Sequence, residues 1–132
     1  MKKLYLGLII SAATLSLMGC RKHQPVYQVD HHELPYSAEN LSDSQMRRSI
    51  LKVASRRGWD CAERGHNRLV CRRERRGHSA EIEIKYTHND FSIRRLRNSS
   101  ELDGEDGQIH RNYNKWVKIL ERDIMREFRN KY

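Results

Sequence analysis

Apolar residues fall along this chain in three rhythms: one unbroken run, two stretches of helical spacing, and between these a stretch of alternation. The run covers residues 4–17 behind Lys2 and Lys3, and it closes on Leu17-Met18-Gly19-Cys20. A positive leader, a short apolar run and a small residue directly before a cysteine are the parts of a bacterial lipoprotein export signal. The run is too short to span a bilayer comfortably. Residues 1–19 therefore read as a cleaved signal peptide. Helical spacing first appears after Ser42, which stands three before Gln45 as a capping box requires. Met46, Ile50, Val53, Ala54 and Arg57 then recur at three and four, and Gly58 supplies a left-handed stop. The second helical stretch is residues 109–128, where Tyr113, Trp116, Val117, Leu120, Ile124 and Phe128 form a broad apolar stripe.

Between the helices the period drops to two. Residues 59–63 and 69–74 flank a turn centred on His66, with Gly65 and Asn67 beside it. A hairpin there sets Cys61 opposite Cys71. Residues 79–87 alternate, with Ala80, Ile82, Ile84 and Tyr86 on one side and Ser79, Glu81, Glu83 and Lys85 on the other. His88-Asn89 reads as a two-residue turn, Asn89 being tolerant of positive φ. The return strand, residues 90–96, then pairs Tyr86 with Phe91, Ile84 with Ile93 and Glu83 with Arg94. These elements predict an α+β domain over residues 42–132. It is a two-layer α-β-β-β-β-α fold, a four-stranded antiparallel meander with two helices packed on one face. Residues 20–41 hold both prolines, Pro25 and Pro35, and the polar run Asp30-His31-His32-Glu33. They read as a flexible tether with a reach of about 25 Å, its adjacent histidines solvated.

Charge and cysteines narrow the chemistry. The net charge is +9, and loss of Lys2 and Lys3 with the leader leaves +7. Most of the excess is arginine, suited to planar, bidentate contact with phosphates and carboxylates. The export signal places the domain outside the cytoplasm, so no nucleic acid is the expected partner. Anionic lipid, lipopolysaccharide phosphates and acidic cell-wall peptides are within reach. Candidate anion-binding residues are Arg72, Arg73, Arg75 and Arg76 near one strand loop, with Arg94, Arg95 and Arg97 at the end of the last strand. In lipoprotein precursors, which the N-terminal segment resembles, the Cys20 thiol receives a diacylglyceryl group and the new amino terminus an acyl chain such as palmitate. Each buried methylene of such chains adds about 0.8 kcal/mol to membrane attachment. Cys61 and Cys71 remain as a pair, and an oxidising compartment favours a structural disulfide between them. The acidic stretch 98–108 lacks the alternate-residue ligand spacing of an EF-hand. No metal and no cofactor is expected.

His78-Ser79-Ala80-Glu81-Ile82-Glu83-Ile84-Lys85-Tyr86, then Phe91-Ser92-Ile93, then Ile109-His110-Arg111-Asn112-Tyr113-Asn114-Lys115-Trp116-Val117 and Leu120-Glu121-Arg122-Asp123-Ile124 together resemble a group of small proteobacterial lipoproteins. The resemblance covers the Cys20 motif and residues 50–124. It implies a membrane-anchored periplasmic domain and supplies no catalytic residues. Within the string from Ile109 to Val117, His110 and Tyr113 lie three apart, would share a helix face and form a candidate polar site. The other reading is that His110 and Asn112 cap the helix.

No G-x-S-x-G, H-E-x-x-H or phosphate-cradling glycine loop occurs, so the chain reads as non-catalytic. The expected function is that of an anchored envelope lipoprotein whose basic domain contacts anionic envelope components. The alternative is a protein-interaction accessory subunit of an envelope assembly. Inhibition of lysozyme is disfavoured, because lysozymes are themselves cationic and would repel a +7 domain. Arg21 stands where an inner-membrane retention signal would place Asp, so the expected address is the periplasmic side of the outer membrane.

Overall fold

Ser42 opens the first helix by the capping box its spacing predicts. In the computed structural model, which describes residues 23–96 and 108–132, the Ser42 hydroxyl accepts the Gln45 N–H at 3.1 Å, and Gln45 Oε1 accepts the Ser42 N–H at 2.8 Å. Helix α1 follows over Asp43–Arg56 and buries Met46, Ile50, Val53 and Ala54. Gly58, at φ +80°, turns the chain out of it. A Ser42→Ala protein should lose about 1 kcal/mol. Urea unfolding measures this, and an unchanged midpoint would show that the cap contributes nothing.

The alternating stretch forms β3 (Trp59–Glu63), β4 (Arg68–Arg75), β5 (His78–Tyr86) and β6 (Asp90–Arg95). Their antiparallel register is the predicted one: Cys61 faces Cys71, Ile84 faces Ile93, and Tyr86 faces Phe91. Cys61 and Cys71 are joined by a disulfide. Helix α2 (Arg111–Lys131) lays its predicted stripe, Tyr113 through Phe128, into one core with Ile50, Leu69, Ile82, Phe91 and Ile93. The opposite sheet face carries Arg68, Arg72, Glu83, Lys85 and Arg94. The class is therefore α+β, with helices covering one side of an antiparallel sheet.

The sheet has five strands, not four, and the fifth comes from the segment read as a tether. Strand β2 (Val29–Glu33) pairs with β6, giving the order β2-β6-β5-β4-β3. A further strand, β1 (His23–Pro25), pairs with β7 (Gln108–His110) just before α2. A short 3-10 turn over Tyr36–Asn40 buries Ala38, and Leu41 is buried behind it. The folded unit thus reaches back at least to His23, not Ser42. Only Val29 of β2 points into the core, which is why the strand's polar sequence showed no period. A bulge at His31, φ +46°, shifts its register and turns His32 onto the Phe91 ring, 5.4 Å away. His31 and His32 lie in this strand, not in a solvated linker.

Two local expectations change with the fifth strand and the turn chemistry. Glu83 faces Arg94 in register, but its carboxylate pairs with Arg68 and Lys85, while Arg94 Nη2 lies 3.4 Å from Asp30 on β2. The new neighbour strand offers Arg94 a nearer carboxylate. At His88-Asn89, positive φ is not used: the Thr87 hydroxyl accepts the N–H groups of Asn89 and Asp90, each at 3.1 Å, and closes the turn instead.

Candidate functional site

Strand alternation splits the predicted arginines between two sides of the sheet. Arg72 and Arg94 stand on the open polar face, Arg72 Nη2 3.5 Å from Glu74 and Arg94 paired with Asp30. Arg95 stands opposite Ile82 at the end of β6. Arg97 lies outside the described residues, as do Cys20 and the acidic stretch 98–107. Arg73 and Arg75 are on the helix-covered side, opposite Ala80 and His78. There the sheet extends past the end of the core toward the first turns of α2.

That overhang forms a groove of about 270 Å³, lined by Arg57, Arg73, Arg75, Arg76, His78, Asn112, Lys115, Trp116 and Ile119. Among the described residues, no lining residue is acidic. The Arg73 guanidinium lies over the Trp116 ring at 4.5 Å, and Trp116 in turn meets Trp59 edge-on at 6.4 Å. Burial, followed by the charges of Arg75 and Arg57, lowers the Arg73 pKa from its ordinary value. Among the described residues, Arg73, Arg75, Arg76 and Lys115 have no carboxylate within salt-bridge distance. Arg57 is held by Asp123. An anion entering the groove would relieve this mutual repulsion, which is the chemistry that a phosphate or carboxylate site requires.

The turn that carries Arg76 is itself informative. Arg76 and Gly77 connect β4 to β5 with φ of +52° and +76°, a type I′ pair. Glycine and asparagine suit the first position, and an arginine there costs about 1 kcal/mol. The chain therefore keeps a cation at the groove's rim against its backbone preference.

Lys115 belongs to a second cationic feature that the sequence expectations omitted. Arg111, Lys115, Lys118, Arg122, Arg126 and Arg129 are all exposed on α2. At 100° per residue they occupy an arc of about 80°. The helix carboxylates face elsewhere: Asp123 meets Arg57 and Arg122, Glu127 meets Lys52 and Arg56, and Glu121 accepts from the Tyr27 hydroxyl at 2.6 Å and pairs with His32. Hydrogen bonding to Glu121, then burial and the Glu121 charge, pushes the Tyr27 phenol up to about 12. Recurrence of Lys or Arg at i, i+4, i+7, i+11, i+15 and i+18 was the available signal.

His110 and Tyr113 do not face the groove. His110 is the N-cap of α2, its Nδ1 accepting the Asn112 N–H at 3.1 Å, and its ring packs between His78 and His23. Tyr113 is fully buried in the core. The capping arrangement is the one present. Among the described residues, no group of three or more His, Cys, Asp or Glu is placed to hold a metal ion.

These ion pairs make the domain acid-sensitive. Burial alone would raise the Glu83, Asp123 and Glu127 carboxyls, but hydrogen bonds and charges from Arg68 and Lys85, Arg57 and Arg122, and Lys52 and Arg56 bring each below its ordinary value. A carboxyl depressed in the folded state stabilises that state above its unfolded pKa and loses this as pH falls toward the folded one. The melting temperature should therefore hold between about pH 7 and 5.5 and drop below about pH 4.5. A flat or rising profile between pH 5 and 3 would refute these pairings.

Compared with family models, curated proteins and solved structures, the chain matches none. The groove is therefore read from its own residues.

Proposed function

We infer that this chain is a lipid-anchored, non-catalytic envelope protein, held by Cys20 on the periplasmic side of the outer membrane, whose domain binds anionic envelope groups. The export motif at Leu17-Met18-Gly19-Cys20 and the likeness to small lipoproteins support the anchor and the address. The observation that carries the binding is the groove: Arg73, Arg75, Arg76 and Lys115 gathered beside the Trp116 face with no carboxylate among the described residues that line it. Phosphate-bearing lipids, lipopolysaccharide and acidic cell-wall peptides share the chemistry it would accept.

Titrating anionic lipid into the full chain held in zwitterionic micelles, with tryptophan emission as the readout, tests this directly. Binding should be tight at low salt and weaken steeply as the Debye length falls from about 10 Å to about 3 Å. Arg75→Glu with Arg76→Glu should weaken it at least about tenfold. Salt-insensitive binding, or none, would refute the reading. Arg76→Asn separates function from structure. An Asn-Gly turn should raise stability by about 0.5–1 kcal/mol, because the backbone strain at Arg76 is relieved. The same change should weaken anion binding. A variant that gains stability and keeps full affinity would show that Arg76 has no part in the site.

The second reading, an accessory subunit of an envelope assembly, draws on the open polar face of the sheet. Its Arg68–Glu83–Lys85 and Arg94–Asp30 pairs are already mutually satisfied. It therefore offers a charged partner less than the groove does. Crosslinking in cells discriminates: one stoichiometric protein partner favours the subunit, lipid or glycan adducts the anion-binding domain.

A further inference from the structure

Three peptide steps separate Cys20 from His23, the first residue of β1. Fully extended, that link spans about 11 Å. Strand β1 lies antiparallel to β7, with His23 opposite His110, and β7 runs straight into α2. Asn114 Nδ2 donates to the Gln24 side chain at 3.3 Å and to the Pro25 carbonyl at 2.8 Å, fixing β1 against the first turns of α2. An anchored Cys20 would thus hold the N-terminal end of α2 close to the lipid surface, within about one Debye length of its charge.

From that end the exposed face of α2 runs back along the domain. Its exposed side chains from Arg111 to Arg129 are all Lys or Arg; Glu121 and Glu127 are drawn toward partners on other elements, and Asp123 is shared between Arg57 and Arg122 of the stripe. The stripe runs along a helix of 21 residues, about 31 Å long. A helix standing on end would bring only Arg111 and Lys115 to the surface and leave the remaining cations unused. We propose that α2 lies flat on the bilayer that holds Cys20, with Arg111, Lys115, Lys118, Arg122 and Arg126 against the phosphates of anionic headgroups. The inference rests on lipidation of Cys20 and names the partner of the cationic surface. The polar sheet face, with Lys85 and Arg94, then points away from the membrane.

The test is lysine acylation by a water-soluble reagent on the full lipidated chain in vesicles, read by peptide mass. In phosphatidylglycerol vesicles Lys115 and Lys118 should react at least about fivefold more slowly than in phosphatidylcholine vesicles, with Lys85 unchanged. Arg111→Glu with Arg126→Glu, both at exposed positions, should restore their reactivity at an unaltered melting temperature. Lys118 lies outside the groove, so equal labelling of Lys118 in both lipids, or protection of Lys85 instead, overturns the orientation alone, and protection of Lys115 without Lys118 leaves the groove reading standing. A native chain that keeps Met1 and an unmodified Cys20 overturns the anchor and this inference with it.

Discussion

An Asn114→Ala protein is expected to lose about 2–3 kcal/mol of stability, concentrated in the segment that precedes α1. Asn114 is nearly fully buried at 4% exposure, and its amide is used from both ends. Oδ1 accepts the Tyr27 N–H at 2.8 Å, while Nδ2 donates to the Pro25 carbonyl at 2.8 Å and to Gln24 Oε1 at 3.3 Å. Alanine removes these bonds, leaves partly buried backbone groups without partners, and opens a small void under β1. Asn114→Asp should do no better, because it keeps the acceptor but sets a carboxylate against the Pro25 carbonyl. Amide exchange gives the location of the loss. The Tyr27 amide should exchange much faster while amides of β5 keep their protection. Tyr27 should also titrate nearer 10 than its present value of about 12, because the phenol no longer stays on Glu121. A loss spread evenly over the sheet, or one below about 0.5 kcal/mol, would show that Asn114 does not pin this segment.

The parts of the fold that were legible in the sequence are those where one face of an element is apolar and the other is not. Alternation from Ala80 to Tyr86 set the register of β5, and the Cys61–Cys71 spacing set that of the β3–β4 hairpin, because a one-residue slip would invert every side chain. Strand β2 escaped because it lies at an edge. Val29 alone reaches the core, and the bulge at His31 breaks the period that would have revealed the rest. The site was legible in part. Arg73, Arg75 and Arg76 were marked by their density, but Arg72 beside Arg73 had to fall on the other sheet face once the period was two. Arg57 and Lys115 are brought to the same groove only by packing of α1 and α2 against the sheet, and no local pattern encodes that meeting. The cationic stripe of α2 was in plain view. It is the complement of the apolar stripe from Tyr113 to Phe128, and the same helical spacing places both.

Removing the Cys61–Cys71 disulfide should cost about 3 kcal/mol and lower the melting temperature by about 10 °C. The bond closes a short loop, with a sequence separation of 10, so most of its effect comes from restricting the unfolded chain. Its position makes the consequence more than global. Strand β3 is an edge of the sheet, paired among the described strands with β4 alone, and the disulfide is a second covalent tie to that neighbour beside the turn over residues 64–67. Trp59 on β3 is buried and meets Trp116 edge-on, opposite the Arg73 position in register. Loosening β3 should therefore disturb the ring over which Arg73 sits, and the groove with it. Two samples separate the causes: the reduced wild-type chain keeps both sulfur atoms, whereas Cys61→Ala with Cys71→Ala also empties volume at the fully buried position 71. Both should fall by similar amounts, the double variant slightly further, and both should bind anionic lipid more weakly at temperatures where they remain folded. A reduced chain that melts within about 2 °C of the oxidised one would show that hairpin pairing alone holds β3. Unchanged lipid binding in a destabilised but folded chain would show that the groove does not depend on that edge.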